Sequence, residues 1–162
     1  MSETLSRKNK RRERCCRYAP LLLWAGVVLF ASTGSASMAQ TSRFIRPFLE
    51  FIFPNASDET LQIYHAYIRK SAHFIEYGIL AFWASRAFAN SAKPILQKYW
   101  FIVSFLLVLT VASIDETNQS FNPSRTGSPR DVLLDCAGGA FMILLFAIFR
   151  IATKNHKRFS RE

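Results

Sequence analysis

From Tyr18 to Ser42 the chain carries no charged side chain, a run of 25 residues. A helix rises about 1.5 Å per residue and the hydrocarbon core of a bilayer is about 30 Å thick, so this run is long enough to cross. In lipid every backbone N–H and C=O must be satisfied within the protein, which for a single segment means a helix. The chain therefore reads as an all-α, polytopic membrane helix bundle. The formal net charge of +10 fits that reading once its position is considered. Twelve of the 21 Lys and Arg lie at the two ends: Arg7, Lys8, Lys10, Arg11, Arg12, Arg14 and Arg17, then Arg150, Lys154, Lys157, Arg158 and Arg161. Basic clusters beside apolar runs set membrane orientation, so no nucleic-acid partner is expected; the bilayer is.

Three further apolar runs follow, each too short alone. Phe74 to Trp83 is interrupted by Glu76, Tyr99 to Ile114 gives 16 uncharged residues, and Val132 to Phe149 contains Asp135. Sixteen residues cover only about 24 Å. To cross, the second helix must start near Lys70, the third must run through Asp115, Glu116 and Gln119, and the fourth must start near Asp131. Polar groups are thereby drawn into one edge of the membrane. The expected organisation is a basic tail over 1–17, a membrane domain over 18–149 with spans at about 18–38, 70–88, 99–119 and 131–149, and a basic tail over 150–162. Arg86, Lys93 and Lys98 fill the middle connection, whereas 43–70 and 115–131 are nearly balanced in charge. Positive residues favour the cytoplasm, so both termini and the middle connection are expected inside and the polar helix ends outside. The first segment also has the layout of a signal peptide, with Ser37-Met38-Ala39 as its small-x-small site; either outcome leaves the other three spans in the same orientation.

Between the first two spans, Pro47 and Pro54 bracket a short apolar stretch expected in the outer interface or packed on the bundle. Ser57 reads as an N-cap with Asp58 and Glu59 in the first helical turn. Ser128 and Pro129 open the last helix in the same manner. The three cysteines lack CxxC spacing and suggest neither zinc nor a redox pair.

Three polar blocks carry the candidate chemistry. Lys70, His73, Glu76 and Tyr77 recur every three or four residues and form one helical stripe. His73 with Glu76 could act as an acid–base pair, or with Asp115 supply metal ligands. The bland alternative is that these groups hydrogen-bond neighbouring helices. Ionisable groups cost about 2.5–3.5 kcal/mol within a membrane on insertion scales, which raises the weight of function. Asp115 and Glu116 are adjacent carboxylates one turn from Gln119, and would repel unless they face cations; Lys70, Arg125 and Arg130 are the candidates. Asp131, Asp135, Gly138 and Met142 share a face, with Gly138 and Gly139 permitting close helix approach. The candidate catalytic residues are thus His73, Glu76, Asp115 and Glu116, and the candidate ligand-binding residues Lys70, Gln119, Arg125, Arg130, Asp131 and Asp135. No metal site is assigned, and the cofactor is unknown.

The blocks Arg69-Lys70-Ser71-Ala72-His73-Phe74-Ile75-Glu76-Tyr77, Asp115-Glu116-Thr117-Asn118-Gln119, Arg125, and Asp131-Val132-Leu133-Leu134-Asp135 with Gly138 resemble the VanZ-like family of small bacterial membrane proteins. The resemblance covers roughly residues 60–147 and places His73, Glu76, Asp115, Glu116, Gln119, Arg125 and Asp131 on motif positions. Asp135 departs from it, since Asn is commoner there. The resemblance implies a multi-pass protein of the bacterial cytoplasmic (inner) membrane, an outward-facing site, and a link to resistance to the glycopeptide teicoplanin. Two functions follow. The first is a non-enzymatic protein that binds or shields an envelope component, with a lipid-linked envelope precursor or a glycopeptide as partner. The second is an intramembrane acid–base or metal-assisted enzyme acting on a lipid-linked phosphate or ester. The chain contains no nucleophile elbow, phosphate loop or HExxH pattern.

Overall fold

A computed structural model describes residues 2–32, 38–121 and 128–159. Their regular elements are all helices: α1 (Ser2–Ser32), α2 (Met38–Ile52), α3 (Asp58–Ala89), α4 (Pro94–Lys98), α5 (Trp100–Ser120) and α6 (Pro129–Phe159). Three stretches are long and apolar enough to cross a membrane: Arg12–Ser32, Trp100–Ser120 and Pro129–Lys154. At 21 residues, α5 spans about 31 Å and so matches the hydrocarbon core only because it includes Asp115, Glu116 and Gln119. Its hydroxyls are satisfied locally. Ser104, Thr110, Ser113 and Thr117 each donate to the carbonyl four residues earlier, at 2.6–2.7 Å. Such back-bonding lets polar side chains occupy an apolar helix without a distant partner.

α3 has the length to cross but not the apolar composition, since Arg69, Lys70, His73, Glu76 and Arg86 interrupt it. Its place in the bundle explains how this is tolerated. It is the central helix, packed against α1, α2, α5 and α6. Its inward face is small: Ala81, Ala84 and Ala87 are fully buried beside Tyr77 and Leu80. Small residues bring helix axes close where lipid supplies no hydrophobic drive to associate. Leu21 and Val28 of α1 and Val108, Val111 and Ala112 of α5 complete this core. Leu22, Leu23, Phe30, Phe101, Leu106, Phe141, Leu144 and Phe149 point outward instead, which suits a lipid-facing surface.

The helices alternate in direction. Lys70 reaches Asp131 and Ala89 reaches Arg150, a constant offset of 61 residues, so α3 and α6 run parallel. Tyr18 at the start of the apolar part of α1 bonds Ser91 near the end of α3, so those two are antiparallel. One end of the bundle thus gathers Tyr18, Ser91, Trp100 and Arg150, with the Arg150 guanidinium 5.8 Å from the Trp100 ring centre. The other end gathers the polar blocks of α3, α5 and α6.

Both predicted caps form. The Ser57 hydroxyl accepts from the Thr60 N–H and the Ser128 hydroxyl from the Arg130 N–H. Two element boundaries differ from expectation. The first helix ends at Ser32, and Met38 already belongs to α2. The apolar stretch expected between Pro47 and Pro54 is the end of α2, a helix that begins at Met38 and runs through Pro47. Its Leu49 is buried, while Phe44, Phe48 and Phe51 are strongly exposed. An amphipathic helix of about 22 Å with an open aromatic face has a form that suits a membrane interface.

Candidate functional site

The close approach of α3 and α6 sets the geometry. A Cβ at Gly138 would collide with the carbonyl oxygen of Phe74, and one at Gly139 would lie 2.7 Å from Val108 Cγ1. Two adjacent glycines therefore let α6 settle against α3 on one side and α5 on the other. One turn before Gly138, Asp135 is carried into the seam and is fully buried. Its Oδ1 lies 3.4 Å from His73 Nδ1. The His73 ring in turn stacks on Tyr77 one turn along α3, with ring centres 6.4 Å apart.

Asp115 enters from α5, 2% exposed. Its Oδ2 accepts from the Tyr77 hydroxyl at 2.9 Å and its Oδ1 from Gln119 Nε2 at 2.9 Å. Its backbone carbonyl accepts from Ser32 Oγ of α1 at 3.4 Å. Glu116, next in the chain, turns toward the start of α6, where its Oε2 accepts from the Ser128 N–H at 2.8 Å. Of the cations expected to face these adjacent carboxylates, Lys70 and Arg130 are among the described residues. Lys70 goes to Asp131 instead, at 3.2 Å. Asp115 and Glu116 are held by neutral donors, because the helix turn between them points the two side chains at different neighbours. Arg130 is exposed, and the contact it makes at the helix start is through its backbone. Arg125 lies outside the described residues.

A cavity of about 150 Å³ lies between α1, α2, α3 and α5. Its polar wall is Arg69, His73, Glu76, Asp115 and Gln119; its apolar wall includes Val28, Ala31, Ile45 and Ile68. Of the candidate residues, then, His73, Glu76, Asp115 and Gln119 share one cavity, and Asp135 stands directly behind His73. Lys70, Asp131 and Glu116 form a neighbouring layer that ties α6 to α3 and α5. The Glu76 carbonyl also accepts from Trp24 Nε1 at 3.0 Å, which anchors α1 to this level.

Four contributors are absent from the candidate set. Arg69 lies one turn before His73, so an i, i+4, i+7 reading of Arg69, His73 and Glu76 would have included it. Tyr77 shares the predicted stripe, but its bond to Asp115 joins residues 38 apart. Ser32 and Thr41 reach the cavity through the packing of α1 and α2 on α3, for which no local pattern exists.

The arrangement can bind a small anionic group between Arg69 and His73. It can also move a proton through a His–carboxylate pair beside an apolar wall. No curated protein sequence and no solved structure matches the chain. The family profile described as VanZ/LLP1 matches residues 18–150, which takes in the core helices, the cavity and all three polar blocks. The chain is a member of the VanZ/LLP1 family.

Proposed function

We propose that this protein is an envelope protein of the bacterial inner membrane whose cavity binds the anionic headgroup region of a lipid-linked envelope component at the outer face. By occupying or shielding that component it alters access of a glycopeptide such as teicoplanin. The observation that carries this reading is the two-sided cavity, with Arg69, His73, Glu76, Asp115 and Gln119 on one wall and Val28, Ala31, Ile45 and Ile68 on the other. Such a lining suits an amphiphile, polar group inward and chain along the apolar side. Size favours the envelope component over the antibiotic as direct ligand. Drug-sized ligands occupy pockets of roughly 300–1,000 Å³, and about 150 Å³ admits a headgroup only. The outer placement is supported by the basic residues at both ends of the chain and by the separation of the polar blocks from Arg150 and Ser91.

A second reading rests on the 3.4 Å contact of His73 with Asp135. In it, His73 takes a proton from water, the water oxygen attacks a lipid-linked phosphate or ester, and the departing alkoxide recovers the proton. The Asp135 carboxylate, 3.4 Å away, offsets the positive charge that forms on the imidazole. One experiment addresses both readings: profiling envelope lipids and teicoplanin susceptibility in a deletion strain complemented with wild type, His73→Gln or Gln119→Ala. Binding predicts that Gln119→Ala loses the resistance phenotype at normal membrane levels with no new lipid species. Catalysis predicts that His73→Gln accumulates one lipid-linked species. Complementation by both variants at wild-type level would overturn both.

A further inference from the structure

We infer that His73, Asp115 and Asp135 form a binding site for one divalent transition-metal ion of the Zn²⁺ class, held between α3, α5 and α6. Each residue offers one donor atom, and the three donors lie within 4.8 Å of one another. They come from three different helices, so the grouping is made by the bundle and not by local spacing. This inference stands apart from the proposed binding of an envelope component, because it requires no ligand in the cavity.

The independent observation is Asp135. It is fully buried, and neither of its carboxylate oxygens has a hydrogen-bond partner among the described residues. His73 Nδ1, which faces it, also lacks one. A buried carboxylate without donors is costly, and buried charges are normally paired or bound to metal. Lys70, on the same helix as His73, is engaged by Asp131. A divalent cation would satisfy both carboxylates and the imidazole together.

The surroundings of Asp115 resemble the outer shell of a metal ligand. Tyr77 and Gln119 each donate to one of its oxygens, which fixes the carboxylate plane while leaving lone pairs on both. The donor set is one nitrogen and two oxygens. That excludes the thiolate-rich structural zinc sites, and three donors fall short of the six to eight oxygens Ca²⁺ takes. Zn²⁺ bonds of about 2.0–2.2 Å put ligand atoms roughly 3.3–3.6 Å apart, so the side chains would draw inward by about 1 Å on loading. With three protein ligands the ion would keep a position open on the cavity side, where His73 and Asp115 both contribute to the wall.

The test uses untagged full-length protein in detergent, stripped with chelator and titrated with Zn²⁺ and with Co²⁺. Wild type should take up one equivalent per chain. Asp135→Asn, Asp115→Asn and His73→Gln should each weaken binding at least tenfold, whereas Glu59→Gln, on the exposed first turn of α3, should leave it unchanged. X-ray absorption of the Zn²⁺-loaded wild type, which needs no variant to fold, should give only N/O scatterers near 2.0 Å with one imidazole. A folded wild type that binds less than a tenth of an equivalent would overturn the assignment. So would sulfur in the first shell, or affinity unchanged in all three variants.

Discussion

Gly138 is the residue on which the polar cluster depends most directly. Its missing side chain lets the Phe74 carbonyl of α3 sit against α6, and that contact carries Asp135 to His73. Gly78 lies across the same seam, yet a Cβ there would meet Gly138 O at 3.5 Å, an ordinary contact. The two glycines therefore separate close packing from mere presence in a helix. Gly138→Ala should destabilise the bundle by about 1–3 kcal/mol through overpacking. Gly78→Ala should be near neutral, because its gain in helix propensity meets no clash. Thermal unfolding of both variants in one detergent checks the contrast; equal melting temperatures would contradict the packing account. The glycine pair was legible in the chain as a close-approach signal, but which of three glycines bears the contact depends on the rotation of α6 against α3.

At the scale of elements, α2 is the part whose attachment responds to pH. It docks on α3 through Leu49 and through Thr41 Oγ1, 3.2 Å from His65 Nε2. His65 sits on the second turn of α3, in a cleft it shares with Arg46 and Asp58. Burial, reinforced by the nearby Arg69 charge, holds His65 below the ordinary imidazole range. A depressed folded value means that the unfolded or undocked state takes up the proton first as the pH falls. Docking is therefore at full strength above about 6.5 and weakens below it. Protection factors across α2, which remove the intrinsic pH dependence of amide exchange, should be higher at pH 7.5 than at pH 5.5, and His65→Gln should flatten the difference. The exposed ion pairs of Arg46 with Glu50 and Asp58 contribute little by comparison, being open to water. The sequence marked this region by its prolines as a short apolar stretch. It did not reveal a helix passing through Pro47, since a proline in the third turn of a helix removes an i→i−4 hydrogen bond and crowds the preceding turn, so local rules read it as a break.

For the whole molecule, the alternating helix directions and the basic ends predict a two-faced protein. Cysteines placed at the exposed positions Lys70 and Asn118 should react with an impermeant maleimide in intact cells, and one at Lys93 only after permeabilisation. The background must carry Cys15→Ser and Cys16→Ser, because both native thiols are exposed. Labelling of position 93 from outside would reverse the orientation. The chain by itself determined the membrane class, the helix caps, the need for α5 to run through Asp115 to Gln119, and the edge at which polar residues collect. These follow from length, hydropathy and charge, which act within a few turns of the chain. Tertiary structure alone decided the partners. Lys70 chose Asp131, Asp115 took Tyr77 and Gln119, and His73 met Asp135. Local spacing places side chains on one face of a helix, but which of them touch is set by how far and at what rotation the helices approach, and here two glycines of α6 set that distance. The polar edge was therefore legible as a location, and became a cavity with a three-helix donor cluster only in the packed bundle.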